Sequence, residues 1–206
     1  MLSVIRDPAL FYQERATDRL SGPILTVLIA AVTNVLGTVI LLASSWSTIA
    51  EASTYVTTAY VLSIFFGIGS VVGSWVLYSA AFHAISVVFG GEGSFRRTLT
   101  YTGWGFVPIA VSGLIHAGLI FVRVRGATFP DSARQLGPFV QQLTSGPLFT
   151  MASLLGIVFT IWSGVIWTFA MRDARALSLR YAAATVALPL GIWITWRLYS
   201  VLSPLL

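Results

Sequence analysis

The chain has 206 residues, is 56% hydrophobic and only 9% charged, and has a mean hydropathy of +0.85. Soluble domains carry about 25% charged residues, so this much apolar surface calls for lipid as solvent, and the length suits one membrane domain. The net charge of +5 comes with no basic run longer than Arg96-Arg97, so the arginines read as topology signals rather than a nucleic-acid stripe; the lack of cysteine excludes disulfides, thiolate metal sites and thiol nucleophiles.

Residues 1–22 form an N-terminal segment. Within it, 7–20 (DPALFYQERATDRL) predicts a short amphipathic helix at the membrane interface. Asp7 is placed to cap it and Pro8 to start it. Leu10 and Phe11 would dip into lipid while Arg15 and Arg19 meet headgroups.

Residues 23–206 divide into five apolar stretches, at about 23–45, 57–89, 98–122, 147–171 and 181–203. Each is long enough for a transmembrane helix, and none alternates as a barrel strand does, so the fold class is all-α and multi-pass. The first stretch exceeds the roughly 7–15 residues of a signal-peptide core, so it reads as a span rather than a cleaved leader. Ser21 and Pro23 suit the start of span one, and Ser145, Gly146 and Pro147 repeat that arrangement before span four. Span two is longer than a bilayer needs and should tilt or protrude.

Span two carries Gly69 and Gly73, a Gly-x-x-x-Gly pair with Ser70 and Ser74 one step along. Small residues on one face let helices approach closely, either inside the bundle or between copies of the chain. Gly90, Gly91 and Gly93 then make a turn, because glycine tolerates left-handed backbone at a helix end. Phe95 is placed for the interface, and Arg96 and Arg97 for lipid phosphates. Ser94 or Thr98 would cap span three. Inside that span Pro108 cannot donate to the carbonyl of Trp104, and Gly103 and Gly105 weaken the same turn, so a kink is expected over 104–108. Between spans three and four, Gly137-Pro138 should break any helix in the interfacial stretch 131–144.

Charge sets orientation. Arg6, Arg15, Arg19, Arg96, Arg97, Arg172, Arg175 and Arg180 fall on one side of the five spans, against Arg123, Arg125 and Arg134 on the other. The positive-inside rule places the N-terminus in the cytoplasm and the C-terminus outside, across the cell membrane.

Ionisable residues within the spans are few: His83, His116 and Arg197. No Asp or Glu lies within a predicted hydrophobic core, which argues against proton- or cation-coupled transport. The two histidines differ in depth by roughly 15 Å at the helical rise, too far to share a metal. Ser112 and His116 share one helix, whereas a serine nucleophile needs its base within hydrogen-bond reach. Arg197 is placed to snorkel to headgroups, or to meet an anion within the bundle. The residues call for no cofactor, metal or catalytic set.

Taken in order, Pro8 and Phe11, two spans, the Gly90-Gly91-x-Gly93-x-Phe95-Arg96 turn, and the Tyr101-Thr102-Gly103…Pro108 stretch resemble the Yip1 family of small membrane proteins. That resemblance implies five helices, a cytoplasmic N-terminus and a short C-terminus outside. It supplies no catalytic residues. Eukaryotic members act in vesicle trafficking and contact Rab-type GTPases through cytoplasmic regions; this chain has only about twenty residues before span one and looks like the short prokaryotic members. The resulting expectation is a structural, membrane-organising or protein-interaction role, with lipids and a protein partner or second copy as its contacts and no nucleic acid. The alternative is a small transporter or permease subunit, with a cavity at the Gly103–Pro108 break lined by Thr102 and His116.

Overall fold

A computed structural model describes residues 2–15, 19–50 and 54–203, all of whose regular structure is helical. In chain order the helices are α1 (Leu2–Arg6), α2 (Pro8–Leu10, running into a π-turn over Phe11–Arg15), α3 (Ser21–Ser44), α4 (Trp46–Ala50), α5 (Thr54–Val88), α6 (Phe95–Gly103), α7 (Val107–Arg125), α8 (Ala133–Leu143), α9 (Pro147–Ala174) and α10 (Leu179–Leu202). Five stretches are long and apolar enough to cross a membrane: Ser21–Ser44, Thr57–Val88, Phe95–Arg125, Pro147–Ala174 and Leu179–Leu202. They agree with the expected spans to within a few residues. The bundle thus has a near face, carrying α1, α2 and the α5–α6 and α9–α10 turns. Its far face carries α4, α8 and the end of α10.

The third span is the most buried of the five. It packs along α3 through glycines: a Cβ on Gly113 would lie 2.9 Å from the Thr33 backbone, and one on Gly37 would meet the Ile120 side chain. Close backbone approach of this kind is what small residues supply in a lipid solvent, where apolar burial alone does not drive helices together.

Three expectations need correction. Of the helix expected over 7–20, Pro8–Arg15 is helical and Arg19 and Leu20 are not, with the Leu10 amide donating to Asp7 Oδ1 at 2.9 Å. However, Phe11 does not dip into lipid. Phe11 and Tyr12 are buried, while Leu10 is exposed. Phe11 packs edge-on against Trp104 and Tyr12 stacks on Tyr101, so the segment docks on the bundle. Aromatic rings have more to bury against protein aromatics than the short helix can offer to the interface. Arg15 and Arg19 flank residues 16–18, which lie outside the described residues.

Secondly, α8 continues through Pro138. Gly137 precedes it and has no Cβ to clash with the proline ring. Burial of Leu136 and Leu143 and the Phe129–Phe139 ring contact at 5.1 Å then outweigh one missing hydrogen bond. Thirdly, Ser21 is inside α3 rather than capping it; Leu20 holds the cap position without a side-chain bond.

Candidate functional site

The near-face turn is held by a residue that sequence patterns did not single out. Gly90 and Gly93 have φ of 76° and 101°, as a glycine turn requires. The Gly91 amide donates to Ser86 O at 2.8 Å, closing the end of α5. Ser94 Oγ accepts from the Arg97 amide at 3.3 Å, opening α6.

Across this turn lies Arg175, at the end of α9 and only 2% exposed. Its Nε donates to Ser86 Oγ at 2.8 Å, one Nη to Gly91 O at 2.7 Å and the other to Gly93 O. In return its own carbonyl accepts from the Glu92 amide at 2.9 Å. The rigid fork of donors on a guanidinium suits two carbonyls and a hydroxyl at once. Burial pulls the group down from its ordinary value, yet an arginine keeps its charge at physiological pH. A Cβ on Gly93 would lie 2.9 Å from Ala174 O, so the turn cannot sit this close with a larger residue. Ala176, at φ 53°, carries the chain out of the clamp.

Around the turn, Phe95 and Arg96 are exposed. Arg97 lies over the Tyr101 ring at 5.3 Å. His83 Nδ1 is 3.2 Å from Thr98 Oγ1 and its ring meets Phe95 edge-on, which accounts for it as a packing residue.

The expected break is present. A 3₁₀ turn over Trp104–Phe106 separates α6 from α7, and Pro108 stands in the first turn of α7. Ring donors from three other elements capture carbonyls of α6: Trp75 Nε1 donates to Leu99 O at 2.9 Å, Tyr12 Oη to Tyr101 O at 3.0 Å, and Trp167 Nε1 to Thr102 O at 2.7 Å. This is how backbone groups are satisfied where water is absent. Burial above all, then Tyr101 and Asp173, holds the Tyr12 phenol well above its ordinary range, so it stays a donor. Gly105 allows the Trp167 indole to sit against the backbone, and Gly103 admits Pro23 and Trp75. The break is therefore filled, and Thr102, Gly103, Gly105 and Pro108 are buried in it.

A cavity does exist, but beyond the break. It measures about 900 Å³ and is lined by α5, α7, α9 and α10, with Asn34 from α3. His116, Ser112 and Arg197 line it; Thr102 and Gly103 do not. Its near end is closed by a cluster in which Trp167 contacts Tyr78, Phe82 and Phe106 at ring separations of 5.0, 5.6 and 5.7 Å. Ser112 and His116 share the cavity without a hydrogen bond between them. Gly69 and Gly73 have no atom within 4 Å of an added Cβ, so neither serves as a close contact within the bundle. Among the described residues no group of three His, Asp or Glu could hold a metal.

Five apolar helices packed through glycines and ring-to-carbonyl bonds define a multi-pass, all-α membrane protein. The Yip1 domain family matches residues 2–198, nearly the whole chain, and the chain belongs to that family. It is similar to an uncharacterized protein of Methanocaldococcus jannaschii, with 48% identity over 48 residues. That alignment covers 23% of this chain and 33% of the relative, so the chain spans a third of that relative's length. No solved structure matches the chain significantly.

Proposed function

We propose that this Yip1-family protein is a non-catalytic membrane organiser that presents a rigid near face, turned to the cytoplasm, to a protein partner or a second copy. The observation carrying this reading is the Arg175 clamp. The fold commits a buried guanidinium to fixing the Gly90–Gly93 turn beside exposed Phe95 and Arg96. Simple chain reversal does not need such a device, whereas a preorganised recognition surface gains from one.

The cytoplasmic orientation draws support from the arginine bias. Two of the three arginines opposing it have local uses: Arg123 Nε donates to Leu143 O at 3.3 Å, and Arg125 lies over the Phe121 ring at 4.3 Å. Arg96 and Arg97 would face anionic headgroups on that side. Gly69 and Gly73, open toward lipid, are the proposed contact between copies.

The natural chain lacks cysteine, so Ser94→Cys can be labelled from one side at a time; reaction only from outside would invert the orientation. A photo-crosslinking residue at Phe95 should give a discrete protein adduct that is lost in Arg175→Met. An unchanged adduct would refute the clamped-platform reading.

The cavity favours a second reading, a small transporter or permease subunit. The aromatic cluster around Trp167 closes its near end, so transport would require that cluster to move. Specific solute flux into proteoliposomes, abolished by Pro108→Ala, would establish this alternative.

A further inference from the structure

The cavity is graded in polarity along its length. Measured at the helical rise from the near face, Ala81 and Trp167 lie at about 10 Å, and Tyr78, Phe106 and Pro189 at about 15 Å. Asn34, Ser74, Thr160 and Trp193 follow at about 20 Å. Ser70, Ser112, Arg197, Ser153 and His116 stand at roughly 25–31 Å, among Val71, Trp196 and Ala152. One end is thus aromatic and apolar, the middle is mixed, and the far end gathers most of the polar groups and the one cation among the described residues that line it.

The cavity also opens sideways. Of its lining residues, Leu77, Ile192 and Trp196 are 70%, 75% and 61% exposed, which places its mouth between α5 and α10. Those two helices meet at the near face, where Phe89 stacks on Tyr181 at 5.2 Å. In a membrane that mouth faces acyl chains, not water.

Arg197 has no hydrogen bond or ion pair among the described residues. It lines the far part of the cavity together with His116. Among the described residues no Asp or Glu lines the cavity to neutralise the guanidinium. An unpaired intramembrane charge is expensive and calls for a counter-ion.

We propose that the cavity binds an anionic amphiphile, with its phosphate or carboxylate head on Arg197 beside His116 and its acyl chain running down to Tyr78, Phe106 and Trp167. The volume of about 900 Å³ is at the upper end of the roughly 300–1,000 Å³ usual for ligand sites. The head would enter at the depth of the far-side interface, and the tail would slide in through the α5–α10 mouth. This site is separate from the near-face turn, so either can fail without the other.

The test uses the full chain, reconstituted in vesicles of equal phosphatidylglycerol and phosphatidylcholine, extracted in mild detergent and examined by native mass spectrometry. One phosphatidylglycerol per chain should be retained in preference to phosphatidylcholine. Arg197→Gln should lower that retention about tenfold, as expected for loss of a charge-assisted contact. Arg172→Gln, on the near face and paired with Asp173 at 2.9 Å, should leave it unchanged. Ser74→Phe, which fills the middle of the cavity, should lower it while Arg197 is intact, and Arg197→Lys should keep most of it. These last two variants carry the test if Arg197→Gln fails to fold. Inorganic phosphate added alone should not displace the lipid; displacement would identify a site for free anions and overturn the amphiphile. Equal retention of both lipids, or full retention by Arg197→Gln, would also overturn the proposal.

Discussion

Replacing Arg175 by methionine keeps an unbranched apolar stem, ends it short of the guanidinium and removes every donor. Three hydrogen bonds from a charged group are lost, to Ser86 Oγ, Gly91 O and Gly93 O. Such bonds contribute about 1.5–3 kcal/mol each in favourable cases. The full sum is not expected, because burying the guanidinium itself carries a desolvation penalty that the variant escapes. The turn also lies at the surface, where Gly93 is exposed and water can reach the released carbonyls. Ser86 Oγ keeps its own donor bond to His83 O at 2.7 Å. A net loss of about 2–4 kcal/mol follows from these terms. At about 2–4 °C per kcal/mol for a chain of this size, the melting midpoint in detergent should fall by roughly 4–16 °C. Hydrogen exchange should locate the damage. The Glu92 amide, bonded to Arg175 O at 2.9 Å, should lose protection together with its neighbours in the turn, while the α3–α7 core keeps its own. Arg175→Lys, which can reach one carbonyl but lacks the fork, should fall between methionine and the natural residue. A midpoint and turn protection unchanged in Arg175→Met would refute the clamp.

Other substitutions probe the remaining contacts. Gly105→Ala would drive a methyl into the Trp167 indole and should cost about 1–3 kcal/mol in thermal melts; Gly118→Ala, with open space around it, should be neutral or stabilise by up to about 1 kcal/mol. Trp167→Phe keeps a ring but leaves Thr102 O without its indole donor, and should cost about 1–3 kcal/mol by the same assay. Tyr12→Phe removes the bond to Tyr101 O at 3.0 Å and should lower stability by about 0.5–1.5 kcal/mol at neutral pH. Because the folded Tyr12 phenol titrates above its ordinary value, its contribution is complete below about pH 10 and declines as pH rises from there toward the folded value. Alkaline melts of the natural chain should therefore fall more steeply than those of Tyr12→Phe, and parallel curves would contradict the buried donor.

Legibility from sequence divides along physical lines. Hydropathy is a property of composition over a window, so the five spans could be read to within a few residues of Ser21–Ser44, Thr57–Val88, Phe95–Arg125, Pro147–Ala174 and Leu179–Leu202. Glycine and proline announce backbone conformation directly, so the Gly90–Gly93 turn and the break before Pro108 could be read as well. Side-chain partners on the backbone leave no trace in sequence. Arg175 bonds two carbonyls and a serine, and nothing in its neighbours distinguishes it from Arg172 or Arg180. Phe11 carries the same signal whether it faces lipid or Trp104. Spacing misled at the glycines: the Gly69–Gly73 pair packs on nothing within the bundle. Gly105 and Gly113, outside any Gly-x-x-x-Gly pair, make close approaches. Helix direction decides which glycine meets a neighbour, and direction is tertiary.

The break at Gly103–Pro108 and the cavity are connected through Trp167. Where the 3₁₀ segment interrupts the helix between α6 and α7, Thr102 O accepts from the Trp167 indole, and Gly105 leaves the space that the indole occupies. The same ring, fixed by that bond, contacts Tyr78, Phe82 and Phe106 and forms the floor of the cavity. A weakened helix here seals the near half of the bundle, and the space is left in the far half. There the cavity opens between α5 and α10, which meet at Phe89–Tyr181, and Arg197 stands without an acidic partner among the described residues. The two halves therefore make opposite demands on the same helices. Trp167→Ala should couple them: it removes the floor and the donor together. It would join the cavity to the near face, at a cost of about 3–5 kcal/mol for a large buried ring. In that variant a water-soluble thiol reagent added from the near side should reach a cysteine placed at Ser112, which the intact cluster should exclude. Equal labelling of Ser112→Cys with and without Trp167 would show that the aromatic cluster is not a seal.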